Sequence, residues 1–571
     1  MVRKIWCTCN ALGRSTDVQC RSAAPPQRCE IRLCVGHPIL SWYKFVAAAG
    51  IKKRKTKLKD TTFNVRNQLE PQRTSRLAGV FVARWGARHC GNALHSGSRL
   101  PLGRVIGLIL AVFTATLLRA PTVALSENKS PPNIIYIIAD DLGWKDVGFH
   151  KSDVKTPNID QLAKTGVEFK EFYVQPMCTP TRAALMTGRY PFRYGLQTGV
   201  IPSSGKYGLP TDEWLLPQAL KDAGYETALI GKWHLGHGKQ EYWPNQRGFD
   251  YFYGALVGEI DHFKHETHGV GDWHRNNKPL KETGYDTILF GDEAVKLIEH
   301  HDVRKPLFLD LSFTAPHAPY QAPSQYLAKY SEIADPTRRA YAAMITAMDD
   351  QIGRVVKALD KHHTRANTLI IFHSDNGGTR SAKFTGESVV KGELPPDNGP
   401  YRDGKGTLYE GGTRVVAIAN WPGKITPGQV DGMVHVVDMY PTLVGLAGGK
   451  LAKNKPLDGV DIWPTISEGK PLSRTEVVYN VDPFGAAVRQ GQWKLVWLSL
   501  LPQRVELFDL AADPSEKTNL VASNPDKVKQ LESRITDLSK QMAQPLLLAD
   551  VFHIVLSAPP STPEEYFGKE D

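Results

Sequence analysis

Four short apolar runs, each followed closely by polar residues, constrain the fold of this 571-residue chain more than any other feature. The first, residues 133–138 (NIIYII), is a continuous run of the kind found in strands that are covered on both faces of a sheet. Similar runs lie at residues 368–372, 307–309 and 228–230, and apolar residues keep helical spacing across 344–359. The alternation predicts an α/β fold with a large, mainly parallel central sheet flanked by helices.

Polar side chains follow each of these runs, and in open α/β sheets ligands bind beyond the carboxyl ends of the strands. We therefore expect these side chains to meet at one edge of the sheet. Carboxylates and amide oxygens suit Ca²⁺ or Mg²⁺. Taken singly, an Asp-Asp pair is also typical of a helix cap and Asp-Asn-Gly-Gly of a turn, but the convergence favours a site. In chain order, the residues are Asp140 and Asp141, Lys232 and His234, His317, and Asp375 and Asn376.

Cys178 is the only one of the seven cysteines that lies after residue 90, and the pattern places it at the start of a helix. Pro180 suits the first helical turn and Gly188 suits its end. The thiol would therefore lie at the positive end of a helix, beside Arg182, where an anionic form is favoured. A buried structural cysteine and a plain cysteine nucleophile are the alternatives.

The formal net charge of +11 would indicate a nucleic-acid or acidic-surface partner if it were evenly spread. It is not, because residues 1–130 hold 22 Lys and Arg against 5 Asp and Glu, whereas the remainder holds 48 against 54. The sequence therefore predicts no nucleic-acid partner. Any attraction for an anionic ligand has to be local to a site.

The uncharged run at residues 105–118 follows Arg99 and Arg104 and precedes small residues, which is the pattern of a secretory signal peptide. Its 14 residues fall short of the roughly 20 that a spanning helix needs. We predict a signal peptide at residues 99–126, export to the periplasm or the medium, and no stable membrane span. A buried helix and an uncleaved anchor are the alternatives. Residues 1–98 are basic and contain cysteines without metal-type spacing, so we interpret them as a disordered leader or as sequence upstream of the true start.

The pattern Cys178-x-Pro180-x-Arg182, followed by Thr-Gly-Arg at 187–189, is the point at which the sequence resembles the formylglycine-dependent sulfatases. The resemblance covers nearly all of residues 131–540 and is closest to members of the arylsulfatase B (N-acetylgalactosamine-4-sulfatase) type. Shared stretches include IADDLGWKDVGFH, GKWHLG, SDNGG and LYEGGTR. The resemblance implies an alkaline-phosphatase-like sandwich, with a large mixed sheet and a smaller C-terminal antiparallel sheet that carries a helix.

In that family the signature cysteine is oxidised to formylglycine, whose hydrated aldehyde attacks the sulfur of the ester. The resemblance implies that Cys178 is converted by a formylglycine-generating enzyme. It also implies that one Ca²⁺ ion is bound by Asp140, Asp141, Asp375, Asn376 and Cys178. A sulfate ester is an anion, so its charge has to be neutralised before attack. The positions that match nucleophile-holding, sulfate-contacting and proton-transfer residues are Arg182, Lys232, His234, His317 and Lys405.

The implied function is hydrolysis of sulfate from a sulfated sugar or polysaccharide, of the N-acetylgalactosamine 4-sulfate type. A phosphoesterase of the alkaline-phosphatase group is one alternative, but those enzymes use Thr or Ser with two metals, which Cys178 does not match. A catalytically inactive pseudo-sulfatase that binds sulfated glycans is another, although every catalytic position is filled. The sugar, the linkage position, exo or endo action and the oligomeric state stay open.

Short strands at residues 477–479, 487–488, 493–497 and 506–510, with helical spacing from 528 to 542, predict a separate C-terminal sheet. We therefore divide the body into a catalytic domain at 131–470 and a C-terminal subdomain at 471–571. The segment 262–278 is rich in His, Lys and Arg. Its spacing fits no tight metal site, so we expect a solvated loop near an anionic substrate.

Overall fold

The computed structural model describes residues 131–381, 393–499 and 501–557. These residues belong to one structural unit, Pro121–Asp571. The other unit, Met1–Ala120, lies outside the described residues, as do the predicted leader at 1–98 and the predicted signal peptide at 99–126. Within the described part of the chain, no helix combines the length and the apolar character needed to cross a membrane.

The strands form one large mixed sheet, a small antiparallel sheet and a two-stranded hairpin. In chain order they are β1 (Asn133–Ala139), β2 (Val167–Tyr173), β3 (Glu226–Lys232), β4 (Tyr251–Ala255), β5 (Glu266–Thr267), β6 (Val270–Gly271), β7 (His274–Arg275), β8 (Lys278–Pro279), β9 (Leu307–Ser312), β10 (Thr368–Ser374), β11 (Arg414–Val415), β12 (Ala417–Asn420), β13 (Gly428–His435), β14 (Glu476–Val481), β15 (Gly485–Gln490), β16 (Trp493–Leu498) and β17 (Arg504–Asp509).

Along the chain, most of the helices lie in the segments that connect strands of the large sheet. In chain order they are α1 (Pro157–Thr165), α2 (Cys178–Thr187), α3 (Leu216–Asp222), α4 (Asp286–His300), α5 (Ser324–Leu327), α6 (Pro336–Lys361), α7 (Glu410–Thr413), α8 (Met439–Leu446), α9 (Trp463–Glu468), α10 (Pro525–Ser539) and α11 (Leu546–Ser557).

The sequence of strand β1 is apolar without interruption because side chains on both of its faces are buried. Ile134, Tyr136 and Ile138 pack into one core together with α2, α3 and α8. Ile135 and Ile137 pack into a second core with α1, α4 and α6. Successive side chains of a strand point to opposite faces, so a strand between two helical layers has to be apolar at every position.

The large sheet has a parallel centre and antiparallel edges. Its order is β11-β2-β12-β10-β1-β9-β3-β4-β7-β8, with β13 paired to the outer side of β2. Strands β10, β1, β9, β3 and β4 run parallel, so their carboxyl ends lie at the same edge. This confirms the predicted α/β fold class. The antiparallel contribution from β2, β11 and β12 has no counterpart among the four predicted runs.

The small sheet has the order β14-β15-β16-β17, as predicted for a separate C-terminal sheet. Helix α10 covers one face through Leu531 and Leu538, while the other face packs against Leu408 and Tyr409. The predicted covering helix is shorter than expected: it ends at Ser539, so Met542 lies beyond it. Met542 still packs against the core, which is why its spacing continued the apolar pattern.

A buried lysine joins the small sheet to the segment around α7. Lys494 Nζ on β16 lies 3.0 Å from Glu410 Oε1 and 2.8 Å from Glu516 Oε1, and the side chains of all three are buried. Burial opposes ionisation of Glu410, but Lys494 and two neighbouring arginines lower its pKa to about 2. Burial and the charge of Glu410 raise the pKa of Glu516 to about 7.

We expect Lys494→Met to destabilise the protein strongly. Removing one partner of a buried ion pair leaves uncompensated buried charge, which costs about 3–5 kcal/mol in the free energy of unfolding. Thermal unfolding followed by circular dichroism measures the loss. Lys470→Met, which removes an exposed lysine from its pair with Glu468, is the control and should change the melting temperature little. Equal stability of the two variants would contradict a stabilising role for Lys494.

Candidate active site

The carboxyl ends of the parallel strands bring the predicted polar residues together. Asp140 and Asp141 follow β1, and Asp375 and Asn376 follow the adjacent strand β10. Lys232 is the last residue of β3, two strands away from β1. The expected meeting of these side chains at one sheet edge is therefore what the structure shows.

Three carboxylates and the thiol form a tight buried cluster. One ligand atom from each of Asp140, Asp141, Cys178 and Asp375 lies within 4.8 Å of the others. Asp141 has a φ of 64°, in the left-handed region that residues other than glycine rarely adopt. Successive residues of an extended strand point to opposite faces, so this turn allows both Asp140 and Asp141 to reach the same cluster.

Asp375 and Asn376 are held by backbone and side-chain hydrogen bonds. The Asp375 N–H donates to the carbonyl of Ala139 at 2.9 Å, and Asp375 Oδ1 accepts from the N–H of Asp141 at 3.2 Å. Asn376 Nδ2 donates to Asp141 Oδ1 at 2.7 Å. Asn376 Oδ1 is buried and has no hydrogen-bond partner among the described residues. A buried acceptor without a partner is costly, so this oxygen suits a cation as its partner.

Each carboxylate of the cluster is paired with a buried cation. Lys232 Nζ lies 2.5 Å from Asp140 Oδ2, and Lys405 Nζ lies 2.9 Å from Asp141 Oδ2. Arg182 completes the set with its guanidinium 2.9 Å from the third carboxylate, Asp375. Burial opposes the charged forms of Arg182 and Lys405, but the surrounding carboxylates raise the pKa of both.

Cys178 is the first residue of α2, as predicted, and Gly188 follows the last helical residue with a φ of 66°. The thiol is 1% exposed and its Sγ lies 3.5 Å from Asp140 Oδ1. Burial, together with the charge of Asp375, raises the pKa of the thiol above its usual range, although Lys232 and Lys405 act in the opposite direction. The surroundings therefore disfavour a bare thiolate at this position.

Two histidines complete the site. His317 Nδ1 lies 2.5 Å from the carbonyl of Ala318, which can only accept, so Nδ1 carries the hydrogen and Nε2 faces Asp141 Oδ2 at 3.6 Å. Burial, with Lys405 nearby, lowers the pKa of His317 to about 3. His234 has a φ of 60°, and its Nε2 lies 3.1 Å from the carbonyl of Ile201.

The imidazole of His234 lies against Gly258, where a Cβ atom would meet the ring at 2.1 Å. Burial lowers the pKa of His234 well below its ordinary value. Its Nδ1 is buried without a hydrogen-bond partner among the described residues. The ring is therefore neutral and keeps one acceptor for a ligand.

A cavity of about 200 Å³ opens directly above Cys178, and His234, His317 and Lys405 line it. Its remaining wall comes from residues outside the predicted site set, although Thr267 and His268 belong to the segment 262–278 that we expect near an anionic substrate. No periodic pattern marks the others: residues 257–259 follow β4, whereas Met177 follows β2 and residues 200–203 follow α2. The remaining residues that line the cavity are Met177, Val200, Ile201, Pro202, Ser203, Val257, Gly258, Glu259, Thr267 and His268.

The segment 262–278 is only partly the solvated loop that the sequence predicts. His262 is buried, with Nδ1 2.8 Å from Asp286 Oδ2 and Nε2 3.0 Å from the carbonyl of His317. His265 is also buried and stacks on Trp273 with ring centroids 4.1 Å apart. The tip, around His268, is exposed and lines the cavity, and Phe263, Lys264 and Lys278 are exposed away from it. Charge density alone misled the prediction, because an aspartate 24 residues away on α4 pairs with His262.

The His262–Asp286 pair should give the stability a distinct pH dependence. Burial opposes the charged imidazole, but Asp286 raises the pKa of His262 above 6.5. Stabilisation from a raised pKa is fully present below the unfolded value and is lost as the pH rises through the folded value. The melting temperature of wild type should therefore exceed that of His262→Gln most below pH 6.5, and the difference should shrink above it.

The control for this prediction is His300→Gln. His300 is exposed, and its Nδ1 lies 2.7 Å from the carbonyl of Lys296 in its own helix. Its replacement should leave the pH profile of the melting temperature unchanged. A difference between wild type and His262→Gln that grows as the pH rises above 6.5 would contradict the charged pair.

Comparisons with known proteins agree on one family. The profile of the Sulfatase family matches residues 132–449, and that of the N-sulphoglucosamine sulphohydrolase C-terminal region matches residues 401–543. The chain is 37% identical over 467 residues to arylsulfatase J of Mus musculus, covering 72% of this chain and 76% of that protein. It is 32% identical over 470 residues to N-acetylgalactosamine-6-sulfatase of Homo sapiens, covering 73% and 87%.

A solved structure supports the same likeness. The crystal structure of Ps i-CgsB in complex with k-i-k-neocarrahexaose superimposes with a TM-score of 0.67 at 34% sequence identity. The likeness covers 77% of this chain and all of that chain.

Proposed function

The chain belongs to the sulfatase family and hydrolyses sulfate esters of sulfated sugars, and from that premise we propose that it removes sulfate from N-acetylgalactosamine 4-sulfate in a polysaccharide. The observation that carries the proposal is the cavity at Cys178, which His234, His317 and Lys405 line. Cys178 also belongs to the buried carboxylate cluster, where Asp140 pairs with Lys232.

The residues present fit a Ca²⁺ ion. The carboxylates of Asp140, Asp141 and Asp375 are hard oxygen donors within one small cluster, and Asn376 Oδ1 adds a buried acceptor without a partner. We propose that these four residues and the side chain at position 178 hold one Ca²⁺. When bound, the ion would neutralise sulfate charge and orient the ester oxygens.

Cys178 is better suited to be the precursor of formylglycine than to bind the metal ion as an unmodified thiol. A thiol among carboxylates is a soft donor in a set that otherwise suits a hard cation, whereas an oxidised side chain offers oxygen. We propose that Cys178 is converted to formylglycine by a formylglycine-generating enzyme. The group would supply the nucleophile for attack on sulfur.

Cations around the cluster would hold the sulfate. Lys232 and Lys405 pair with two of the carboxylates that would bind Ca²⁺, so metal binding competes with those two ion pairs and makes the ammonium groups available to an anionic ligand. Arg182 pairs with Asp375 and donates from Nη1 to the carbonyl of Lys232 at 3.2 Å, which fixes the side chain beside Cys178.

The proton-transfer roles fall to groups that line the cavity. His317 and Lys405 both line the cavity. The Lys405 ammonium carries a proton that it can give to the departing sugar oxygen, whereas His317 holds its hydrogen on Nδ1, so its Nε2 can give a proton only after it has accepted one. His234 lines the same cavity as Cys178 and keeps its Nδ1 as an acceptor, which suits the removal of a proton from a hydroxyl at position 178. We propose these three residues as the proton-transfer groups.

Two further proposals concern the chain as a whole. We propose a boundary near residues 470 and 471 between the catalytic domain and the C-terminal subdomain. The large sheet's last strand ends at His435 and the small sheet begins at Glu476, which supports this boundary. We also propose that the protein is exported through the segment 99–126.

The test combines two measurements on protein produced with a formylglycine-generating enzyme. Mass spectrometry of the peptide carrying residue 178 should show the aldehyde in place of the thiol. Release of sulfate should be measured on a panel of 4-sulfated and 6-sulfated N-acetylgalactosamine, with Ca²⁺ present. An unmodified thiol with no sulfate release would contradict the mechanism, and hydrolysis of the 6-sulfate alone would contradict the linkage.

A further inference from the structure

A second cavity of about 440 Å³ continues from the one above Cys178. Ser203, Val257, Thr267 and His268 line both cavities, so the two spaces share a wall. The turn between β5 and β6 carries His268 and forms this wall. The first cavity, at about 200 Å³, is smaller than the roughly 300–1,000 Å³ that encloses a drug-sized ligand. A ligand longer than one sugar ring has to extend beyond it.

Trp243 presents an apolar surface to the second cavity. It is half-buried, and its indole N–H donates to the carbonyl of His237 at 2.9 Å, so its polar atom is already satisfied by the protein. His274 packs edge-on against it with ring centroids 5.3 Å apart. Leu256 and Val270 continue the apolar lining. A ligand in the second cavity would therefore contact the carbon face of the indole ring of Trp243.

The rest of the lining is polar but not anionic. His237 and Ser203 lie together, with His237 Nε2 2.9 Å from the carbonyl of Ser203. Among the described lining residues, Asp272 is the only carboxylate. Its Oδ2 accepts from the N–H of Val257 at 2.8 Å, and its Oδ1 lies 3.3 Å from His274 Nδ1. The cavity therefore presents no unpaired carboxylate that would repel a sulfated chain.

We propose that the second cavity binds the sugar ring next to the sulfated one, with Trp243 as its stacking platform. A pyranose ring has an apolar C–H face and polar hydroxyls at its edge, and the cavity offers an aromatic surface with hydroxyl and imidazole groups beside it. The proposal rests on the proposed function, since it takes the sulfated ring to lie above Cys178. It makes the preferred substrate an oligosaccharide of at least two sugars.

The experiment compares substrates of increasing length. We would measure kcat/KM for sulfate release from sulfated N-acetylgalactosamine and from chondroitin sulfate oligosaccharides of two and four sugars that carry the same sulfated residue. The ratio of the tetrasaccharide value to the monosaccharide value should be about ten or more, because each tenfold corresponds to about 1.4 kcal/mol of additional binding. A ratio near one in the wild type would overturn the proposal.

Trp243→Ala should lower this ratio, but it removes a side chain that also packs against the core. Gly271→Leu is the second variant, because Gly271 lines the second cavity and a Cβ atom there would meet nothing within 4 Å. The added side chain should obstruct the cavity without straining the backbone, and the ratio should fall toward one. A ratio in Gly271→Leu as high as in the wild type would overturn the proposal.

Gly428→Leu is the matched control for Gly271→Leu. Gly428 begins β13, and a Cβ atom there also meets nothing within 4 Å. Gly428→Leu should keep the wild-type ratio.

The proposed function and the proposed second sugar site would be contradicted by different results. No sulfate release from any sulfated sugar would contradict the proposed function, whereas release from the monosaccharide with no gain for longer chains would contradict only the second cavity.

Discussion

Cys178→Ala should abolish sulfate release, with a loss on the order of 10⁴-fold or more in kcat, because the nucleophile is removed altogether. The fold should persist, since the change deletes one buried sulfur atom at the first residue of α2. Circular dichroism and thermal unfolding check the fold, and ion chromatography of released sulfate checks the activity. Sulfate release by Cys178→Ala at a tenth of the wild-type rate would rule out Cys178 as the source of the nucleophile.

A matched control lies in the same helix. Met186 is buried in α2 but does not line the cavity above Cys178. Met186→Leu nearly conserves volume and should cost less than about 1.5 kcal/mol of stability. It should keep its turnover, which separates a loss of the nucleophile from a loss of packing in the helix.

Removal of Ca²⁺ should have the second-largest effect. Without the cation the carboxylates of Asp140 and Asp141 keep their lysine partners, and neither lysine is available to an anionic substrate. Dialysis against a chelator should reduce sulfate release by about a hundredfold or more, and Ca²⁺ should restore it. The melting temperature gives an independent readout, because Ca²⁺ at 100 times its Kd stabilises the folded state by about 2.7 kcal/mol.

Asn376→Ala is the variant that tests the metal site most cleanly. Asn376 is uncharged, so its removal does not take away the nearest carboxylate partner of Arg182, as the loss of Asp375 would. The melting temperature of Asn376→Ala should respond less to Ca²⁺ than that of the wild type. Asp431→Asn, which changes a mostly exposed carboxylate paired with Lys170, should respond fully. An equal response in Asn376→Ala and the wild type would place the ion elsewhere.

The parallel centre of the sheet could be predicted from the sequence because burial on both faces requires continuous apolar runs. The observed strands extend those runs, so that Lys232 ends β3 instead of following it and Ser374 ends β10. The side chains at the carboxyl ends could be placed for the same reason, since parallel strands end at one edge. These are properties of local pattern and of sheet geometry.

The residues that sequence analysis missed depend on tertiary contacts. The burial of His262 depends on its contacts with Asp286 and with the carbonyl of His317, and no residue spacing in the sequence predicts those contacts. Ser203, in a loop, and Thr267, at the end of β5, line the cavity from separate parts of the chain. Lys494 occupies a fully buried position that a lysine seldom takes without a partner, and its partners, such as Glu410, are far away in sequence.

Complete burial of α2 determines when Cys178 can be modified relative to folding. All ten residues of the helix are buried, and Cys178 is 1% exposed, so a second enzyme has no access to this segment once the chain has folded. The oxidation that we propose for Cys178 has to take place on the newly made chain. Pairing of β1 with β10, 235 residues apart, is a non-local step of the kind that slows folding. Slow closure of the sheet thus lengthens the interval in which the cysteine can be modified.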